Sequence, residues 1–208
     1  MKPTQLVWSF LIGLTALFAL ALGPQAFAQS VSETLNPPPP DFEVCKAVGA
    51  GTICEGTRTE VLAPEITDVS CGSGATAFNI IDSSILNQRA KRYYDVNGNL
   101  TRQSIHDRFT SGQWSNALTG KTVSYTQNNI TVVVLAVPGD FTSSTLTTTG
   151  EVIIRAGTGA PVLIATGRQV FNAGTGELIS SAGRNAFVAA FFEGDTTAFD
   201  DVCAALSR

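Results

Sequence analysis

Thr122 to Phe192 reads as a run of β-strands, in much of which polar and apolar residues alternate with a period of two, the signature of half-buried strands. Val123 and Tyr125 alternate with Thr122, Ser124 and Thr126. Leu146, Thr148, Gly150, Val152 and Ile154 form one strand face; Thr145, Thr147, Thr149, Glu151 and Arg155 form the other, and only Ile153 breaks the alternation. Ile130 to Val137 is apolar apart from Thr131 and predicts a strand buried on both faces, ended by Pro138-Gly139. Phe171 and Leu178 bracket Asn172-Ala173-Gly174-Thr175-Gly176, which predicts a hairpin whose second arm runs into Ala189-Ala190-Phe191-Phe192.

Upstream, Asn97-Gly98 between Tyr93-Tyr94 and Leu100–Phe109 is a strong short-range hairpin signal. Thr52 to Leu62 reads as a first strand that stops at Pro64. Cys71 to Gly74 is a turn, and Thr76 to Asp82 a second short strand. Ser83 to Lys91 fits a strand or a helical turn equally well. Helical period shows at the C-terminus, where Phe199, Val202, Cys203 and Leu206 make one apolar stripe. Asp195, Thr196 and Thr197 offer N-caps, with Thr197 and Asp200 spaced as a capping box.

These elements predict an all-β domain: an antiparallel β-barrel of about eight strands joined as an up-and-down meander, with a two-sheet sandwich as the alternative. The C-terminal helix would cover one end or face of the sheet.

Composition changes the picture at the N-terminus. Lys2, the apolar run Leu6 to Leu22, Gly23-Pro24 and Ala26-Phe27-Ala28 predict a signal peptide over 1–28, with Gln29 as the first mature residue. A retained membrane anchor is the competing reading of that run. Residues 29–41 contain Pro37 to Pro40 and predict a stiff polyproline spacer ahead of a domain over 42–208. The expected location is therefore secreted or extracellular, with no stable membrane insertion after cleavage.

Removing Lys2 moves the formal net charge from −4 to −5, a balance that argues against nucleic acid and anionic membranes as partners. Cys45, Cys54, Cys71 and Cys203 all lie in the mature part, an even number in an exported chain. Cys45–Cys54 as a local clasp and Cys71–Cys203 as a long staple is the preferred pairing. A zinc site is disfavoured because there is no C-x-x-C pair and His106 is the only histidine.

Several motifs resemble those of a family of uncharacterised exported bacterial β-rich proteins with no assigned activity. They are Arg92-Tyr93-Tyr94-Asp95 with Gly98-Asn99-Leu100, His106-Asp107-Arg108-Phe109, Asn116 to Lys121, Gly167 to Phe171, Ala182-Gly183-Arg184 and Cys203-Ala-Ala-Leu206. In strand count and length the domain is also similar to the eight-stranded barrels of allene oxide cyclase-like and dirigent-like proteins. That second resemblance is architectural, and it implies a barrel whose interior holds a small apolar ligand.

Chemistry-bearing motifs are sparse. There is no Gly-x-Ser-x-Gly, His-Glu-x-x-His, P-loop lysine or dinucleotide fingerprint, so no cofactor is expected. In a strand, His106 shares a face with Leu100, Arg102, Ser104 and Arg108, while Asp107 points the other way and cannot orient it as in a triad. The candidate ligand-binding set is Tyr94, Arg102, His106, Arg108 and Arg184; Arg168 and Arg184 pair with Glu151 and Asp side chains if they face solvent. The leading expectation is a secreted, non-catalytic domain binding a small apolar ligand or a partner. The alternative is a cofactor-independent isomerase or cyclase in which His106 assists.

Overall fold

The computed structural model describes residues 34–195 and 197–207. The expected signal segment and Thr196 lie outside them. Eight strands follow in chain order: β1 (Glu43–Val48), β2 (Gly51–Cys71), β3 (Phe78–Tyr94), β4 (Leu100–Asn116), β5 (Thr122–Leu135), β6 (Ser144–Arg155), β7 (Pro161–Asn172) and β8 (Leu178–Ala182). Each pairs antiparallel with the next, giving one sheet ordered β1 to β8. Among the described residues no ladder joins β8 to β1. The sheet is not closed, and it is one sheet rather than the two of a sandwich. Its outer strands are the short ones, six and five residues, and after Ala182 the chain leaves the sheet as helix.

Local chemistry explains where the elements differ from the sequence pattern. β2 runs straight through Pro64 because its pairing with β3 shifts register between Leu62 and Glu65, and β1 covers it only from Gly51 to Gly56. Proline, which lacks a donor, is tolerated at such an irregular, unpaired edge. Ser83 to Lys91 is strand, part of the unbroken β3. The segment expected to continue β8 is instead a helix, α1 (Ala186–Phe192). Asn185 caps it by accepting from the amides of Phe187 and Val188. The C-terminal helix, α2 (Asp200–Ser207), is preceded by a turn in which Asp195 accepts from the amide and hydroxyl of Thr197.

Both helices lie on one face of the sheet, so only that face is covered. This corrects the expectation for Ile130 to Val137. Val133 and Leu135 are buried, whereas Ile130, Val134 and Val137 are about half exposed at 48%, 51% and 54%. With no second layer, β5 alternates like its neighbours.

The covered face has an apolar cluster at each end. At the helix end, Ile80, Trp114, Val123, Tyr125 and Ile154 pack against Phe199, Val202 and Leu206 of the C-terminal segment. Trp114 stands 6.0, 6.1 and 5.9 Å from the rings of Tyr125, Phe187 and Phe199. Such pairs add about 0.5–1.5 kcal/mol each beyond area burial. Gly112 sits opposite Tyr125 in the ladder, and the phenol ring occupies the space that a Cβ would need, 2.6 Å away. At the other end Cys54, Tyr94, Leu100, Val133 and Leu135 form a smaller cluster, joined by Leu35.

The four cysteines form the expected pairs, Cys45–Cys54 and Cys71–Cys203, one bridge at each end. Residues 35–40 are docked rather than free. Tyr94 donates its hydroxyl proton to the Pro37 carbonyl at 2.9 Å and Arg92 donates to the Pro38 carbonyl at 3.2 Å. The amide of Asn36 also bonds the Gly98 carbonyl, and the Leu100 amide bonds that of Asn36. The tetraproline is a strap across this end.

Candidate functional site

Strand parity assigns every functional side chain to one face or the other. On the covered face a polar row separates the two apolar clusters. Arg58, Gln88, Asp107 and Asn129 stand side by side on four successive strands. Arg58 donates to Gln88 Oε1 at 3.0 Å, and Gln88 donates to Asp107 Oδ1 at 2.8 Å. Burial pushes the Asp107 carboxyl above its usual range, against the pull of its bond to Gln88. Asp82 is raised for the same reason, although it accepts from the Tyr125 hydroxyl at 2.9 Å. Burial and Asp82 together push the Tyr125 phenol far up. At the strap end Glu43 has a side chain 0% exposed, with Arg92 at 3.2 Å. The contact lacks hydrogen-bond geometry on either side, and burial lifts Glu43 to about 7 while Arg92 pulls it down less.

The opposite face is open. Its outward positions on β3 to β7 carry Arg89, Lys91, Arg102, Arg108, Arg155 and Arg168, with Glu151 as the one carboxylate. The other two acids of these strands, Asp82 and Asp107, point to the covered face. Arg89, His106, Ile130, Thr149 and Arg168 form a single cross-strand row, about 19 Å long at the usual strand spacing. Tyr93 is the one aromatic side chain on these outward positions, and Lys91 and Arg102 lie over its ring at 5.5 and 5.7 Å. At the β1–β2 margin Glu55 binds Lys46 and Lys91 at 3.2 and 3.6 Å, and these cations hold its carboxyl below the usual range.

Of the five candidate residues, the structure brings three together. Arg102, His106 and Arg108 share the open face. His106 Nε2 lies 2.6 Å from Asn128 Oδ1, an oxygen that can only accept, so the ring carries a proton there. Leu100, expected beside His106, is on the covered face. An extra residue, Thr101, offsets the pairing Tyr93–Arg102 from Tyr94–Leu100 and reverses the parity. Tyr94 is likewise buried on the covered face, and Arg184 lies beyond β8. Neither Arg168 nor Arg184 has a carboxylate at ion-pair distance among the described residues.

Arg89, Lys91, Tyr93 and Arg168 were not in the candidate set. The readable signal was the period-two run Arg89-x-Lys91-x-Tyr93, which joins Arg102, His106 and Arg108 once β3 and β4 pair.

Two open concavities flank this geometry. One, about 610 Å³, lies on the open face between Ile130, Thr149, Glu151, Thr166, Arg168 and Ala182. The other, about 630 Å³, lies between the start of β7 and the helices, with Arg184, Glu193, Asp195 and Asp201 at its rim. Among the described residues no group of His, Cys, Asp and Glu is placed to hold a metal ion.

No family model matches the chain, and no curated protein or solved structure matches it either. The two disulfides fit an oxidising, extracellular environment, and no described helix is long and apolar enough to cross a membrane.

Proposed function

We propose that this protein is an exported, non-catalytic docking domain whose open sheet face binds an anionic partner. One observation carries the reading: six Arg and Lys side chains against a single carboxylate on the outward positions of β3 to β7, in a chain whose net charge is −4. A net charge averages over surfaces, whereas a partner meets only one of them. The cyclase reading needs His106 inside a barrel, but the ring stands on the open face against Asn128.

The test is retention on dextran sulfate beads as salt is raised. Binding should fall steeply with ionic strength, and a combined R89Q/R102Q/R108Q variant should elute much earlier at unchanged unfolding temperature. Salt-independent retention, or a variant that elutes with the wild type, would exclude the proposal.

A second reading keeps a small ligand on the covered face. It is favoured by Gln169, 8% exposed, whose Nε2 has no protein acceptor beside the Thr131–Thr148 hydroxyl pair at 3.1 Å. Native mass spectrometry of the exported protein should then show a bound small molecule that Gln169→Leu loses.

A further inference from the structure

Resting on the anionic-docking reading, we infer that the partner is the surface of a bilayer containing anionic phospholipid. The argument is the company the cations keep. On β5 the outward positions from Ile130 to Val134 are aliphatic, although the flanking strands carry Ser104, Thr145, Thr147 and Thr149 on the same face. Ile130 follows His106 in its cross-strand row, and Val134 sits opposite Arg102. Ile130, Val134 and Ile164 are 48%, 51% and 49% exposed, with Val132 and Ile153 half-buried between them.

A soluble polyanion has no use for exposed aliphatic groups. A single-stranded nucleic acid would be expected to stack its bases on aromatic rings. Tyr93 is the one ring available, and Lys91 and Arg102 already lie over it. A bilayer interface offers both chemistries at once, phosphate to the guanidinium groups and glycerol and acyl carbons to the aliphatic ones. The depression of about 610 Å³ repeats that pairing on a small scale. Ile130 and Ala182 line it together with Thr149 and Thr166, and Arg168 and Glu151 both stand at its margin.

The face lies on the membrane and does not span it. Arg89, Arg102 and Arg108 on adjacent strands would have to enter hydrocarbon if the strands crossed, which a lipid-facing barrel surface does not tolerate at its midplane.

The experiment uses the mature chain, beginning at Gln29, in co-sedimentation with vesicles. Vesicles of phosphatidylglycerol and phosphatidylcholine should bind it, and phosphatidylcholine alone should not. R102Q/R108Q should weaken that binding about twenty-five-fold, about fivefold for each cation removed. Ile130→Ser with Val134→Ser should weaken vesicle binding by at least about fivefold while leaving retention on dextran sulfate unchanged. Circular dichroism and the unfolding temperature control for folding, since all four side chains project outward.

Retention on dextran sulfate without vesicle binding overturns the lipid inference and leaves anionic docking standing. Failure to bind either probe overturns both. Vesicle binding indifferent to the two aliphatic substitutions, or tighter binding to an oligonucleotide than to vesicles, also overturns the lipid assignment.

Discussion

The covered face closes in two different ways at its two ends. At the helix end, chain from far along the sequence is laid over the sheet, and the Cys71–Cys203 bridge spans a sequence separation of 132. Its cover is aromatic and aliphatic, built on Trp114, Phe187, Phe199 and Leu206. At the strap end, a few residues preceding β1 do the same work with polar anchors. Tyr94 and Arg92 hold backbone carbonyls, Glu43 is buried beside Arg92, and the Cys45–Cys54 bridge has a separation of only 9. The difference teaches that one sheet can carry a cover held by apolar packing, with the buried Asp82 carboxyl lying beneath it, and another in which a buried carboxyl stands among the anchors themselves. Apolar packing does not change with protonation, whereas a buried carboxyl does.

Breaking each bridge in turn should separate the ends most sharply. Cys203→Ser removes a closure worth about 5 kcal/mol in the chain-entropy model, and Cys54→Ser one worth about 2–3 kcal/mol. Urea unfolding should rank them in that order, and Cys203→Ser alone should expose α2 to proteolysis. Equal losses would mean that the bridges act through local packing and not through loop closure.

The next effect centres on the strap end. The folded protein keeps the Glu43 proton up to about pH 7, whereas an unfolded glutamate releases it near its ordinary value of 4.5. The resulting stabilisation is complete below pH 4.5 and is lost as pH rises through 7, about 3 kcal/mol in total. Buried Asp82 and Asp107 are raised as well and act in the same direction. The unfolding temperature should therefore fall between pH 5 and pH 8. Glu43→Gln should flatten the slope, and a variant with the wild-type slope would show that Glu43 is ionised throughout.

Tyr94→Phe is a smaller change at the same end. It deletes only the hydroxyl that donates to Pro37, so the cost should be about 1–2 kcal/mol, including the carbonyl left without its partner. Amide exchange should quicken at Asn36 and stay unchanged in α2. The smallest effect should come from His106→Ala on the open face, within about 0.5 kcal/mol. A larger loss would mean that the His106–Asn128 contact supports the sheet.

Much of the sheet could be read from the chain. The Asn97-Gly98 and Asn172–Gly176 turns and the alternation in β5 and β6 needed only local chemistry, because turn geometry and strand parity are settled within a few residues. The two disulfide pairs were also legible, from spacing and from the stripe holding Cys203. The errors fall where local pattern is degenerate. Ala189 to Phe192 is apolar enough for a strand, and the Asn185 cap decided for helix. Ile130 to Val137 could be buried on two faces or one, and the missing second layer decided. His106 and Leu100 exchanged neighbours through one extra residue at Thr101.

For the candidate site, residue types were visible and their assembly was not. Sequence alone determined that this is an all-β chain with paired cysteines and a scattering of arginines and lysines. Tertiary structure decided that Arg89, Lys91, Arg102, Arg108 and Arg168 converge on one uncovered face, while Asp82 and Asp107 turn inward. The physical reason is that parity within a strand is local, but which face is covered, and what stands beside each side chain, is set by partners tens of residues away.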